Sequence, residues 1–177
     1  MERIIKKPEE IKPSLLCFMT ELSFQYFGKA RQYTTPSQYT NEILYYLNYP
    51  SSKLIIAYNP KEPVGFCFHA PSTIEKNLYK EFLEQTKQKM RYDEKSRTVA
   101  IIAVLPEHKG EGIGSSLIEK VTEDSKSMGA SQIYANCIHG KEGESYKFFS
   151  RLGFKEIITL PRVYFDGSSA TLVVKEI

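Results

Sequence analysis

Residues 101–114 of this chain read IIAVLPEHKGEGIG, and this stretch decides the fold. An apolar, β-type run leads through a proline into Gly110, Gly112 and Gly114, and an amphipathic helical pattern begins near Ile113. Glycines allow the backbone to turn tightly and to approach a bulky anion. The N-terminus of the following helix presents free N–H groups and the positive end of its dipole to the same point. Strand, glycine loop and helix in this order predict a phosphate-binding loop.

The glycine spacing fits neither of the two common nucleotide-binding loops. A Walker loop ends in Gly-Lys-Ser/Thr, whereas this loop ends in Gly-Ile-Gly-Ser and carries its lysine at the front. A Rossmann loop is spaced Gly-x-Gly-x-x-Gly and is followed by an acidic residue at the end of the next strand. The sequence therefore predicts an anion site of a third kind, and an unusual ATP loop stays open as an alternative.

Composition is that of an ordinary globular protein. The chain has 177 residues, of which 41% are hydrophobic and 25% charged, so we expect one domain spanning residues 1–177. The net charge of +3 is too small to indicate nucleic-acid binding. We find no apolar run as long as a membrane span and no signal-peptide core, and we expect a cytoplasmic protein that does not contact a membrane.

Cysteines and histidines give no sign of a metal site. The three cysteines, Cys17, Cys67 and Cys137, are far apart in apolar segments, and we expect them to be buried free thiols in a reducing compartment. The three histidines lack the spacing of metal ligands. We therefore expect no metal.

Hydrophobic periodicity divides the chain into alternating helices and strands. The predicted helices are residues 14–27, 37–47, 72–90, 113–128 and 144–152, and the predicted strands are residues 53–58, 64–69, 99–105, 132–138, 154–159 and 170–175. One crossover helix separates the strands 99–105 and 132–138, which predicts that these two are parallel.

The glycine loop resembles the coenzyme A signature of the GNAT N-acetyltransferase superfamily. That signature is written Arg/Gln-x-x-Gly-x-Gly/Ala, and Lys109, Gly112 and Gly114 take its fixed places, with lysine as the departure. Residues 63–66 (PVGF) look like the third strand of the family, and residues 148–154 (FFSRLGF) look like its Phe-Tyr-x-Lys-Leu-Gly-Phe segment. The tail from residue 162 to 170 is similar to the end of ribosomal-protein N-terminal acetyltransferases and of some amine acetyltransferases.

This resemblance implies an α+β fold in three layers. Its sheet is mixed and mostly antiparallel, with helices on both faces and one parallel strand pair that splays apart to hold the pantetheine arm of coenzyme A. The predicted helix 72–90 is an insertion between strands three and four relative to the simplest family members. It is expected either to shape the acceptor site or to form a homodimer contact.

The function that the resemblance implies is acetyl transfer from acetyl-CoA, as co-substrate, to a primary amine of a small molecule or a peptide N-terminus, by direct attack in a ternary complex. A second hypothesis is a GNAT-fold module that binds acyl-CoA as a sensor without catalysis.

The same resemblance places the coenzyme along the glycine loop and the strand before it. Backbone N–H groups of residues 110–114 are expected to hold the pyrophosphate with Lys109 as a charge partner, and the Val104 N–H is expected to polarise the thioester oxygen. The full set expected to contact coenzyme A is Ile102, Ala103, Val104, Lys109, Gly110, Glu111, Gly112, Ile113, Gly114, Ser115, Ser145 and Phe149.

The resemblance identifies the catalytic side chains less directly than the coenzyme-binding residues. The tyrosine that protonates the thiolate in the family corresponds to Phe149, which has no hydroxyl. Tyr146 lies three residues earlier on the same helical face and is the candidate general acid; the alternative is a half-buried structural tyrosine. His139 directly follows the second parallel strand and is the candidate base, since histidine titrates near neutral pH. His69, Glu142 or a chain of waters remain open as alternatives for the base.

The resemblance also implies that the acceptor enters over the first two helices and the last hairpin. These segments hold Tyr26, Tyr33, Tyr39, Tyr45, Tyr46, Tyr49 and Tyr164, with Glu21, Glu42 and Asp166 as their few carboxylates. Aromatic walls can bind an amine by cation–π contact. We nevertheless expect most of these tyrosines to pack in the core, with their hydroxyls reaching water.

Overall fold

A computed structural model describes residues 3–6, as backbone, and residues 11–74 and 95–177 with their side chains. Its helices in these ranges are α1 (Pro13–Phe27), α2 (Ser37–Asn48), α3 (Ile113–Ser127) and α4 (Glu144–Arg151). None of them is long and apolar enough to cross a membrane. Of the predicted helix 72–90, residues 73 and 74 are helical and residues 75–90 lie outside the described ranges.

Within the described residues, seven strands form one mixed sheet in the spatial order β1-β2-β3-β4-β5-β7-β6. They are β1 (Arg3–Lys6), β2 (Lys53–Asn59), β3 (Glu62–Pro71), β4 (Arg97–Val104), β5 (Gln132–Ile138), β6 (Lys155–Leu160) and β7 (Ala170–Glu176). All neighbours are antiparallel except β4 and β5. The predicted fold class, a mostly antiparallel sheet with one parallel pair, is confirmed.

Strand β1 was not predicted from the sequence. It has four residues and pairs with β2 along its whole length, from Arg3 opposite Ala57 to Lys6 opposite Leu54. A strand of four residues is too short to show a recognisable alternation of apolar and polar residues. Its stability comes mainly from pairing with β2. The β2–β3 connection is also shorter than expected, since β3 already begins at Glu62.

Helices cover both faces of the sheet and define two cores. Helix α1 packs Leu15, Met19 and Leu22 against one face, together with residues of α2. Helices α3 and α4 pack Leu117 and Phe149, among others, against the opposite face. We call these the α1/α2 face and the α3/α4 face.

The cysteine prediction is correct for two residues and wrong for the third. Cys67 and Cys137 are fully buried, and burial raises the pKa of the Cys137 thiol to about 12. Cys17 is exposed. It follows Leu15 by two residues, which turns it about 200° around a helix and away from the buried stripe. Helix geometry therefore places this thiol in solvent.

Strands β4 and β5 separate after a short paired start. Both strands are described throughout, and they pair at three positions, of which the last joins Val99 to Ala135. Beyond that point β4 continues to Val104 and β5 to Ile138. The gap between these two strand ends, residues 100–104 and 136–138, is called the wedge below. The predicted splayed pair is confirmed.

Candidate active site at the splayed strands

The glycine loop joins the wedge to the N-terminus of α3. Gly112 is the residue before the helix and has φ of 79°, in the left-handed region. A Cβ atom there would meet nothing within 4 Å, so the requirement for glycine is conformational. The first intrahelical bond runs from the Ser116 N–H to the Gly112 carbonyl, at 3.0 Å. The N–H groups of residues 113–115 therefore have no acceptor within the helix and point toward the loop.

Gly114 serves packing instead of a turn. It lies inside α3, and a Cβ atom on it would come within 3.1 Å of Cε2 of Phe148 on α4. Such a distance is tighter than ordinary van der Waals contact, so a side chain at this position would require the Phe148 ring to shift by a few tenths of an ångström. The last glycine of the signature thus leaves room for the Phe148 ring of α4 to lie directly against α3.

The backbone of Val104 faces the wedge. The N–H of Leu105 donates to the Val64 carbonyl on β3 at 2.8 Å. Backbone groups of successive residues in a strand point to opposite edges, so those of Val104 point away from β3. The Tyr26 hydroxyl of α1 donates to the Val104 carbonyl at 2.8 Å. The Val104 N–H thus lies on the edge of β4 where the family resemblance implies that the thioester binds. The contact between Tyr26 and Val104, which are 78 residues apart, was not predicted.

Lys109 lies between α1 and α4. Its ammonium is 3.0 Å from Oε2 of Glu144, the first residue of α4, and 5.0 Å from the centroid of the Tyr26 ring. The hydrogen bond with Glu144 raises the pKa of Lys109, and the same bond lowers the pKa of Glu144. Both groups are well exposed, so water and salt screen their attraction. A phosphate ligand can therefore replace Glu144 as the partner of Lys109 at small cost.

The remaining residues predicted to bind the coenzyme lie along β4, in the glycine loop and on α3 and α4. Ile102 and Val104 pack against the α3/α4 core, while Ala103 packs on the other face. Glu111 pairs with His108 at 3.1 Å, and Ser115 is exposed on the first turn of α3. No group of three or more His, Cys, Asp or Glu side chains within the described ranges is arranged to hold a metal ion.

Helix α4 carries the predicted acid. Tyr146 is half-buried and packs against the α3/α4 core. Phe149 is 2% exposed, with its ring centroid 4.9 Å from that of Phe154. Phe149 is therefore mainly a core residue. The Ser145 hydroxyl donates to the Ile138 carbonyl at 3.3 Å, which ties α4 to the end of β5.

The two histidines considered as bases lie in opposite environments. His139 is exposed immediately after β5 and has φ of 62°, a left-handed conformation. His69 on β3 is fully buried and is 3.2 Å from an Arg97 guanidinium nitrogen and 3.8 Å from Oδ2 of Asp124 on α3. Burial lowers the pKa of His69. An acceptor that arrives from solvent can reach His139 but not His69.

The seven tyrosines near the predicted acceptor path differ in how deeply they are buried. Only two of the seven, Tyr39 and Tyr46, are buried; Tyr45 is 49% exposed and the others are partly exposed. Tyr26 and Tyr49 also pack against the α1/α2 core, so four of the seven pack in or against the core, as expected. Several hydroxyls bond to polar groups nearer the surface. Tyr33 donates to Glu42 at 3.5 Å, for example, and Tyr164 accepts from the Asn136 amide at 2.9 Å.

Comparison with known proteins agrees with this geometry. The sequence model described as the Acetyltransferase (GNAT) family matches residues 17–154. No curated protein matches the chain. Among solved structures, an aminoglycoside 6′-acetyltransferase type Ii is similar with a TM-score of 0.70 and 18% identity, covering 99% of this chain and 97% of the other.

Two further structures share the fold. A ribosomal-protein-alanine N-acetyltransferase from Brucella melitensis has a TM-score of 0.71 at 16% identity, with both chains covered completely. An aminoglycoside 6′-N-acetyltransferase complexed with coenzyme A has a TM-score of 0.69 at 16% identity, covering 98% of this chain and 96% of the other. The wedge, the glycine loop and the family match over residues 17–154 lead to one conclusion: this chain belongs to the GNAT family of acetyltransferases.

Proposed function

We propose that this protein transfers an acetyl group from acetyl-CoA to the primary amine of a small molecule or a peptide N-terminus. The observation that carries the proposal is the wedge, which opens directly beside a loop whose free N–H groups suit a pyrophosphate. Coenzyme A combines a pyrophosphate with an extended amide-bearing arm, and the unpaired edge of β4 suits that arm as an added strand.

The roles of the chain's own residues follow from their positions. The N–H groups of residues 110–114 would bind the pyrophosphate, and Lys109 would exchange Glu144 for it. The Val104 N–H would donate to the thioester oxygen and stabilise the charge that develops there. Phe149, packed on Phe154, and Ser145, bonded to the Ile138 carbonyl, would hold α4 beside the wedge. The atoms of these two residues that face the wedge would contact the pantetheine arm.

The reaction requires two proton movements. A neutral amine attacks the thioester carbon, the carbon–sulfur bond breaks, and the nitrogen loses a proton while the sulfur gains one. His139, exposed beside the end of β5, would accept the amine proton, and the Tyr146 hydroxyl on α4 would protonate the thiolate. Attack is direct, so no acetylated enzyme forms.

Buried Phe149 favours a second candidate function. The family places a tyrosine hydroxyl there, and this chain has none at that position. A protein that binds acyl-CoA without turnover, as a sensor, would need the same loop and wedge.

Free-thiol release separates the two functions. Protein, acetyl-CoA and a panel of amines are mixed, and the thiol is followed while mass spectrometry identifies the acetylated amine. Amine-dependent thiol release supports the transferase; tight coenzyme binding with no amine-dependent release supports the sensor.

Two variants test the proton carriers. Tyr146→Phe is expected to lower kcat by about 100-fold, while Tyr58→Phe, a control near the end of β2 and outside the predicted acceptor path, is expected to leave it unchanged. His139→Gln is expected to lower kcat/KM by about 100-fold. Unchanged kinetics in either active-site variant would exclude that residue from its role.

A further inference from the structure

Helix α1 contributes a hydroxyl to the edge of β4 that borders the wedge. Tyr26, the residue before the last of α1, donates this hydroxyl to the Val104 carbonyl at 2.8 Å. The peptide group between Val104 and Leu105 is thereby held from two sides, because the Leu105 N–H donates to the Val64 carbonyl at 2.8 Å. The Val104 carbonyl therefore keeps its direction away from β3, on the edge where the pantetheine arm is proposed to bind.

The arm of acetyl-CoA cannot pair with Val104 as a peptide strand does. A peptide strand exchanges two hydrogen bonds with such a residue, one with its N–H and one with its carbonyl. Between its amide N–H and the thioester carbonyl, acetyl-CoA has two methylene groups and a sulfur, where a peptide has a single carbon. With the thioester oxygen on the Val104 N–H, the amide N–H extends past the reach of a peptide N–H, and the Tyr26 oxygen is the next acceptor beside the Val104 carbonyl.

The Tyr26 hydroxyl has the capacity to accept this bond. A phenolic hydroxyl has one hydrogen, which Tyr26 donates to Val104, and its oxygen keeps the lone pairs with which it accepts. Donation to a carbonyl polarises the hydroxyl and makes its oxygen a stronger acceptor. Because Tyr26 is half-buried, water competes less for this oxygen than at an exposed tyrosine.

The ring of Tyr26 acts at the other end of the same ligand. The Lys109 ammonium lies 5.0 Å from the ring centroid, within the range of cation–π attraction. This contact does not involve Glu144, so it persists when the pyrophosphate replaces Glu144 as the partner of Lys109. One side chain of α1 thus lies against two parts of the coenzyme site, the arm and the charge partner of the pyrophosphate.

We propose that Tyr26 binds the acetyl donor: its hydroxyl oxygen accepts from the amide N–H next to the thioester, and its ring holds Lys109 at the pyrophosphate. This inference rests on the proposed binding of acetyl-CoA. It adds to that site a residue of α1 which the family resemblance had implied for the acceptor path.

Calorimetry with a whole and a shortened ligand tests the hydroxyl. Tyr26→Phe keeps the ring and is titrated with acetyl-CoA and with 3′-phospho-ADP, the part of coenzyme A that lacks the arm. We expect acetyl-CoA to bind about fivefold more weakly than to the wild type, as one neutral hydrogen bond is lost, and 3′-phospho-ADP to bind equally well. Unchanged or tighter binding of acetyl-CoA would overturn the proposal, and tighter binding would show that the hydroxyl competes with the arm for the Val104 carbonyl. Equal weakening of both ligands would also overturn it, because the hydroxyl would then only support the loop.

A second variant tests the ring. Tyr26→Leu is expected to weaken 3′-phospho-ADP about threefold through loss of the cation–π contact. Tyr58→Phe, a control on the same face of the sheet but on β2, should leave both affinities unchanged. Affinity for 3′-phospho-ADP that is equal in Tyr26→Leu and Tyr26→Phe would refute the role of the ring. Weaker acetyl-CoA binding in Tyr26→Phe, with no amine-dependent thiol release by the wild type, would uphold Tyr26 and refute the transferase.

Discussion

Two glycines at opposite ends of α3 allow the anion-binding role of the loop to be separated from its structural role. Gly112 precedes the helix with φ of 79°, and Gly129 follows it with φ of 75°. A Cβ atom at either position would meet nothing within 4 Å, so alanine at each causes backbone strain and no clash. Gly112→Ala and Gly129→Ala therefore form a matched pair.

The expected stability loss is the same for both variants. A residue with a side chain in the left-handed conformation costs about 1–2 kcal/mol relative to glycine. Urea unfolding should therefore show a similar decrease of the unfolding free energy in each variant, on the order of 1 kcal/mol.

Only Gly112→Ala should weaken coenzyme binding. Relief of the strain rotates the peptide groups that present the N–H of Ile113 and its neighbours, and a hydrogen bond to a charged group contributes about 1.5–3 kcal/mol. Loss of one such bond raises the dissociation constant for acetyl-CoA at least about tenfold by calorimetry. Equal affinity in the two variants would refute the assignment of the loop as the pyrophosphate site.

Further predictions concern contacts around the wedge and the buried histidine. Tyr26→Phe keeps the ring beneath Lys109 but removes the donor to the Val104 carbonyl, and urea unfolding should show a loss of about 0.5–1.5 kcal/mol; unchanged stability would mean that the bond is not formed in solution. Glu144→Gln should hardly alter stability, because the ion pair is exposed, and should tighten acetyl-CoA binding by up to about fivefold as Lys109 is released; weaker binding would show that Glu144 holds Lys109 in its binding position. Burial lowers the pKa of His69 in the folded protein. As the pH falls, the His69 imidazole is therefore protonated at a higher pH in the unfolded chain than in the folded protein. The wild type should lose unfolding free energy as the pH falls below about 6.5. His69→Gln should lose less between pH 7 and pH 5, and equal losses would assign the acid sensitivity to other groups.

Local patterns in the sequence were sufficient to predict the wedge and its loop. Gly110 and Gly112 act through the backbone of their own segment, so their role can be derived from spacing alone, whereas the contact of Gly114 with Phe148 of α4 cannot. One helix between two strands fixes those strands as parallel, and the splay of β4 from β5 followed from the family resemblance.

Contacts between distant segments could not be predicted in the same way. Tyr26 reaches Val104 across 78 residues, and Lys109 reaches Glu144 across 35. Such contacts depend on how the helices pack against the sheet. The exposure of Cys17, by contrast, follows from helical periodicity and was recoverable from the sequence.

The central claim is that the loop and the wedge together bind acetyl-CoA, and calorimetric titration with acetyl-CoA and with ATP tests it most directly. Both ligands carry adenosine and a pyrophosphate, but only acetyl-CoA has an arm to pair with the free edge of β4. The account predicts that acetyl-CoA binds at least about tenfold more tightly than ATP. Equal or tighter binding of ATP would contradict it.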